Sequence, residues 1–124
     1  MSEAPQSAGS ATVVLVHGAF ADASSWNGVI ERLQTRGVKV TAPANPLRGI
    51  SIDSAYTASV FEQTPGPVLA VGHSYGGAVI TNAATQANNV VGLVYVAAFV
   101  ITAPPYEWPT ANTGPGVCSN TLAV

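Results

Sequence analysis

The chain holds a single cysteine, Cys118, so no intramolecular disulfide framework supports the fold. Charge is also sparse, with Lys and Arg at 4, Asp and Glu at 6, and a net charge of −2. No basic stripe exists to follow a phosphate backbone or an anionic bilayer, so neither nucleic acid nor a membrane is an expected partner. No apolar run is long enough to span a bilayer. Residues 1–10, MSEAPQSAGS, lack the basic start and apolar centre of a secretory signal. They are expected to form a disordered leader, and a cytoplasmic location follows. Histidine is scarce too, being confined to His17 and His73, and no metal site is expected.

What the chain does have is apolar residues, at 48% against 8% charged, the composition of a parallel sheet covered on both faces. One domain accommodates this length. Short apolar runs alternate with longer helical patterns, the signature of right-handed βαβ units. Strands are expected at 12–16, 38–42, 67–71 and 90–96. One helix carries Trp26, Val29, Ile30 and Leu33 at helical spacing, with Ser24 or Ser25 as cap and Gly37 at its end. A second, at 52–63, carries Ile52, Ala55, Val60 and Phe61, with Asp53 as a charge at its start. Asp22 is expected to cap the loop before the first helix. From Thr102 to Val124 the sequence has no sustained period, no Lys or Arg, and prolines at Pro104, Pro105, Pro109 and Pro115. The expected organisation is therefore a leader at 1–10, a core at 11–101 and an irregular tail at 102–124 that includes Cys118.

The strongest chemical signal is VLAVGHSYGGAVI at residues 68–80. An apolar strand breaks into Gly72-x-Ser74-x-Gly76 and continues as a small-residue helix. The Gly-x-Ser-x-Gly spacing suits a sharp strand-to-helix turn, where close backbone approach leaves no room for side chains beside the serine. Ser74 would stand exposed above the sheet as a nucleophile for an acyl carbon, with the positive end of the helix beneath it.

A second stretch, His17-Gly18-Ala19-Phe20, follows the first strand and lies at the same sheet edge, where parallel sheets bind ligands. A tetrahedral intermediate needs two backbone N–H donors, one after the nucleophile and one from a Gly-bearing loop. Tyr75 supplies the first; Ala19, or else Phe20, supplies the second. Candidate substrate contacts are His17, Gly18, Phe20, Trp26 and Tyr75, although the spacing of Trp26 with Val29 and Ile30 also suits the core.

The chain resembles the first half of an α/β-hydrolase, most nearly the small bacterial esterases and the plant methylesterase and hydroxynitrile lyase group. Val13 to Trp26, Asn45-Pro46-Leu47, Val71 to Ile80 and Gly92 to Phe99 carry the resemblance. It implies a three-layer α/β/α sandwich with a short parallel sheet, a truncated form of that fold. It also implies Ser74 as nucleophile, an oxyanion hole from Tyr75 with Ala19 or Phe20, no cofactor, and a small apolar ester as substrate. The family takes its base from a histidine that follows the serine, oriented by an acid.

No histidine follows Ser74, and Glu107 is the only carboxylate after it. His73 and His17 both read as structural by the resemblance, with His17 the better placed of the two as a surrogate base. Three accounts stay open. The chain is part of a longer serine esterase; or a partner or second copy completes it through the apolar edge of strand 90–96; or it is a ligand-binding pseudoenzyme on the hydrolase scaffold. Cyanohydrin cleavage is the alternative chemistry.

Overall fold

A run whose side chains alternate between two cores opens the fold. In the strand Thr12–Val16 (β1), Val14 and Val16 join one apolar cluster, while Val13 and Leu15 join another on the opposite face. The computed structural model describes residues 10–99 and 118–119. Parallel strands flank β1 on both sides. Val40–Thr41 (β2) lies on one side and Val68–His73 (β3) on the other, with Val90–Val96 (β4) beyond it, giving the order β2-β1-β3-β4. Val16 pairs with Gly72, and Gly72 with Tyr95, so the carboxyl ends of β1, β3 and β4 meet at one edge. Among the described residues β4 is an outer strand, with Val91 and Val96 exposed.

Helices cover both faces and make the three layers. Asn27–Thr35 (α1), entered through a 3-10 turn at Ala23–Trp26, brings Trp26, Ile30 and Leu33 onto Val13, Leu15 and Val71. Ile50–Gln63 (α2) and Tyr75–Ala84 (α3) cover the other face, where Ala58, Phe61, Val79, Ile80 and Ala83 pack on Val14, Val16, Val68 and Ala70. The residue that caps the entry to α1 is Asp22 rather than Ser24 or Ser25. Its carboxylate accepts the Ser24 hydroxyl and, at 2.9 Å, the Ser24 N–H. Those two bonds, the hydroxyl first, hold its pKa below the ordinary carboxylate value.

The buried face of α2 is rotated from the one its apolar residues suggest. Asp53, Ser54, Thr57, Ala58 and Phe61 are buried, whereas Ile52 is exposed. A polar start to the stripe is tolerated because Asp53 finds donors inside the protein, described below. β2 is shorter than expected, and Cys118–Ser119 (β6) pairs antiparallel with Ala98–Phe99 (β5) inside the segment expected to be irregular. Two-residue strands have no side-chain period that a sequence could announce. The remainder of the leader and tail, Glu107 included, lies outside the described residues. Among the described residues no helix is long and apolar enough to cross a membrane.

The carboxyl end of α2 is tied down by one side chain. Asn89 Nδ2 donates to the carbonyls of Phe61 (2.7 Å), Gly66 (3.1 Å) and Thr64 (3.3 Å), joining the end of α2 to the approach to β4. Replacing Asn89 by Ala is expected to cost about 1–2 kcal/mol in urea denaturation. Asn89→Asp should cost more, because a carboxylate would then face carbonyl oxygens.

Candidate active site

The turn between β3 and α3 is closed by contacts that only glycine permits. A Cβ on Gly72 would lie 2.5 Å from the Gly76 carbonyl oxygen, and one on Gly76 would lie 2.3 Å from that of Val16. Between them Ser74 adopts φ 55°, ψ −124°, backbone that an L-residue holds only under constraint. The constraint comes from both directions. Ser74 N–H donates to Val96 O on β4 at 3.2 Å, and Ser74 O accepts the Gly77 N–H at 2.9 Å. The other described non-glycine residues at positive φ are Leu47 and Ala97, in the segments that leave β2 and β4. Among the described residues, positive φ outside glycine thus falls in segments that follow the strands.

The second expected stretch converges on the first. A Cβ on Gly18 would meet Ser74 Cβ at 3.1 Å and His73 O at 3.2 Å, so the loop after β1 runs directly beside Ser74. Ala19 and Phe20 form an exposed turn. Phe20 is fully exposed. Tyr75 is the first residue of α3.

One of the two histidines has both ring nitrogens engaged. His17 is buried; its Nδ1 lies 2.8 Å from Gly18 O, and its Nε2 lies 3.0 Å from the Asn45 N–H. A carbonyl only accepts and an amide N–H only donates, so Nδ1 carries the proton and Nε2 has given up its lone pair. His17 therefore has no acceptor left for the Ser74 hydroxyl, which corrects its reading as a surrogate base. Asn45 Nδ2 returns a bond to His17 O at 3.0 Å, so the pair fixes the course of the Gly18 loop. The His73 ring stands edge-on to Trp26, with centroids 6.3 Å apart. Trp26 itself is buried with Val13, Leu15 and Val71, the core role that its spacing allowed.

Two site-shaping residues escaped the sequence reading. Asn45 stood out only within the Asn-Pro-Leu stretch, with nothing to show that it holds His17. Asp53 was expected as a helix-start charge and does lie in the first turn of α2, but it is fully buried. Its Oδ2 accepts from the Tyr75 hydroxyl at 2.6 Å and its Oδ1 from the Arg48 N–H at 2.9 Å. Among the described residues no group of three His, Cys, Asp or Glu side chains is placed to hold a metal ion.

A strained serine on a strand-to-helix turn of a parallel α/β/α sandwich defines a class of fold, and comparison with known proteins agrees. The sequence profile of the Alpha/beta hydrolase family matches residues 13–119, and the chain belongs to that family. An extracellular alpha/beta-hydrolase from a Paenibacillus species superposes with a TM-score of 0.66 at 25% identity, covering 72% of this chain and 41% of that one. It is described as sharing structural and functional homology with tobacco salicylic acid binding protein 2. A pyrethroid hydrolase from Sphingobium faniae JZ-2 is 30% identical, with a TM-score of 0.64 over 77% of this chain and 42% of its own. The chain thus spans under half the length of these solved relatives. No curated protein sequence matches it.

The geometry of the turn predicts opposite outcomes for small changes. Ser74→Gly relieves the positive φ and should raise unfolding stability by about 1 kcal/mol, whereas Ser74→Ala keeps the strain and should change it little. Gly76→Ala, which drives a methyl into the β1 backbone, should cost about 3 kcal/mol or prevent folding. Denaturant titration of the three variants checks both.

Proposed function

We propose that the chain carries the nucleophile half of a serine carboxylic ester hydrolase, reacting through an acyl-enzyme on Ser74. One observation supports this above the rest: Ser74 is held at φ 55°, ψ −124° beside the Gly18 loop. Strain of this kind is retained where function uses it. In this reading the Ser74 hydroxyl attacks the ester carbonyl. The N–H of Tyr75, with that of Ala19 or Phe20, receives the oxyanion. The alkoxy group leaves, and water later releases the acid. A base must take the serine proton; both ring nitrogens of His17 are engaged, and the His73 ring lies against Trp26. The reading therefore takes the histidine and its acid from outside these 124 residues.

The proposed substrate is a small, largely apolar ester. The relatives support hydrolysis as the reaction, being an alpha/beta-hydrolase and pyrethroid hydrolases. The low charge of the chain, −2 overall, gives an anionic substrate no evident electrostatic attraction.

Without its base a serine hydrolase loses on the order of a millionfold in kcat, while the oxyanion hole and binding retain roughly a thousandfold over water. Slow reaction with an activated ester is therefore expected of this chain. The sharper test is fluorophosphonate labelling of the purified protein, read by intact mass with Ser74→Ala as control. Slow mass gain in the parent over long incubation, and none in the variant, is the expected result for a serine that lacks its base. A folded sample in which neither labelling nor activated-ester hydrolysis exceeds that of Ser74→Ala overturns the esterase reading and favours a ligand-binding role for the same scaffold.

A further inference from the structure

Among the described residues, Asp53 is the buried carboxylate that the reaction proposed above does not use. It lies on α2, outside the Gly-x-Ser-x-Gly stretch, and is fully buried. A carboxylate in such a place is retained only when donors meet it, and a packed apolar residue often serves stability as well. Its two donors identify what it holds. Oδ2 takes the Tyr75 hydroxyl at 2.6 Å and Oδ1 takes the Arg48 N–H at 2.9 Å, while the Asp53 N–H is itself anchored to Gly49 O at 2.8 Å. Tyr75 directly follows Ser74, and its own N–H is the expected oxyanion donor.

We propose that Asp53 is a positioning residue for the nucleophile turn, acting through the Tyr75 phenol. The argument is mechanical and rests on the esterase reading for its catalytic consequence. Ser74 sits in a costly backbone region, and a shift of the start of α3 against β3 relieves it. Such a shift carries the Tyr75 Cα, and with it the Ser74–Tyr75 peptide and the Tyr75 N–H. On the upstream side the bond from Ser74 N–H to Val96 O resists the shift. Downstream, the Gly77 N–H holds Ser74 O, and the Tyr75 side chain is pinned at its far end to a different helix. Tyr75 also packs against the core cluster that contains Val79 and Ile80, so apolar contact places its ring and Asp53 fixes its tip. A phenylalanine would supply the first without the second.

The test compares Tyr75→Phe, Asp53→Ala and Asp53→Asn in the full chain, using fluorophosphonate labelling resolved into a maximal rate and a half-saturating concentration. Tyr75→Phe and Asp53→Ala are expected to slow the maximal rate by about tenfold to a hundredfold, as small misplacement of reacting groups does, with half-saturation unchanged. Asp53→Asn should recover part of the rate, because its amide still meets both the phenol and the Arg48 N–H. Combining Tyr75→Phe with Asp53→Ala should slow labelling no further than the slower single change. Tyr75→Phe labelling at the parent rate overturns the proposal, even where Asp53→Ala fails to fold.

Should the parent take no label, backbone nitrogen and proton resonances decide the positioning role apart from the esterase reading. In Asp53→Ala, or in Tyr75→Phe if Asp53→Ala does not fold, the amide signals of Ser74, Gly76 and Gly77 are then expected to move although none of them is hydrogen-bonded to Asp53. Unmoved signals overturn the proposal.

Discussion

The approach of Gly76 to β1 is the constraint on which the site depends. With a methyl group there only 2.3 Å from Val16 O, no side chain can separate the start of α3 from the central strand. The helix therefore begins at once after β3, and the chain reverses within the span from Gly72 to Gly76, whose backbones also touch. Ser74 takes the positive φ that remains. The same closeness puts the first amides of α3 at the strand ends and leaves room beside them for the Gly18 loop. Apolar burial on both faces of the sheet, from Val14 and Val16 on one side and Val13 and Leu15 on the other, opposes the strain.

A single connection serves both halves of the site. Between β2 and the first turn of α2, Asn45 grips His17 and so sets the Gly18 loop, while Asp53 grips Tyr75 and so braces the turn at Ser74. Leu47, at positive φ, lies between them. The two anchors are polar side chains in buried positions, where each bond is poorly replaced by water. Loop and turn come from different strands, yet their geometry is linked through this segment.

The parts of the fold with a period or a glycine signature were legible in the sequence. β1 and β4 fall where the apolar runs placed them, Gly37 stands at positive φ just past the end of α1, and the Gly72 and Gly76 spacing located the turn. Less legible were features decided by partners distant in sequence. α2 turns Asp53 and Thr57 inward and Ile52 outward because Tyr75 and Arg48 satisfy the carboxylate, and a helical pattern cannot reveal a donor supplied by another element. His17 offered two ring nitrogens in the sequence and has neither to spare in the fold, for the same reason. Trp26 could be read as pocket or as core from its spacing, and only the packing on Val13, Leu15 and Val71 decides between them.

The bond from Ser74 to Val96 also has a meaning in time. Parallel pairings between segments far apart in sequence form slowly, because loop closure must precede the contacts that reward it. The turn at Ser74 leans on β1 upstream and on β4 downstream, so its strained shape lacks full support until both strands have paired with β3. A nascent chain that has made the Gly-x-Ser-x-Gly segment but not yet Val90–Val96 carries that serine in relaxed backbone. The order of synthesis thus keeps the shaped serine from appearing before the sheet that surrounds it.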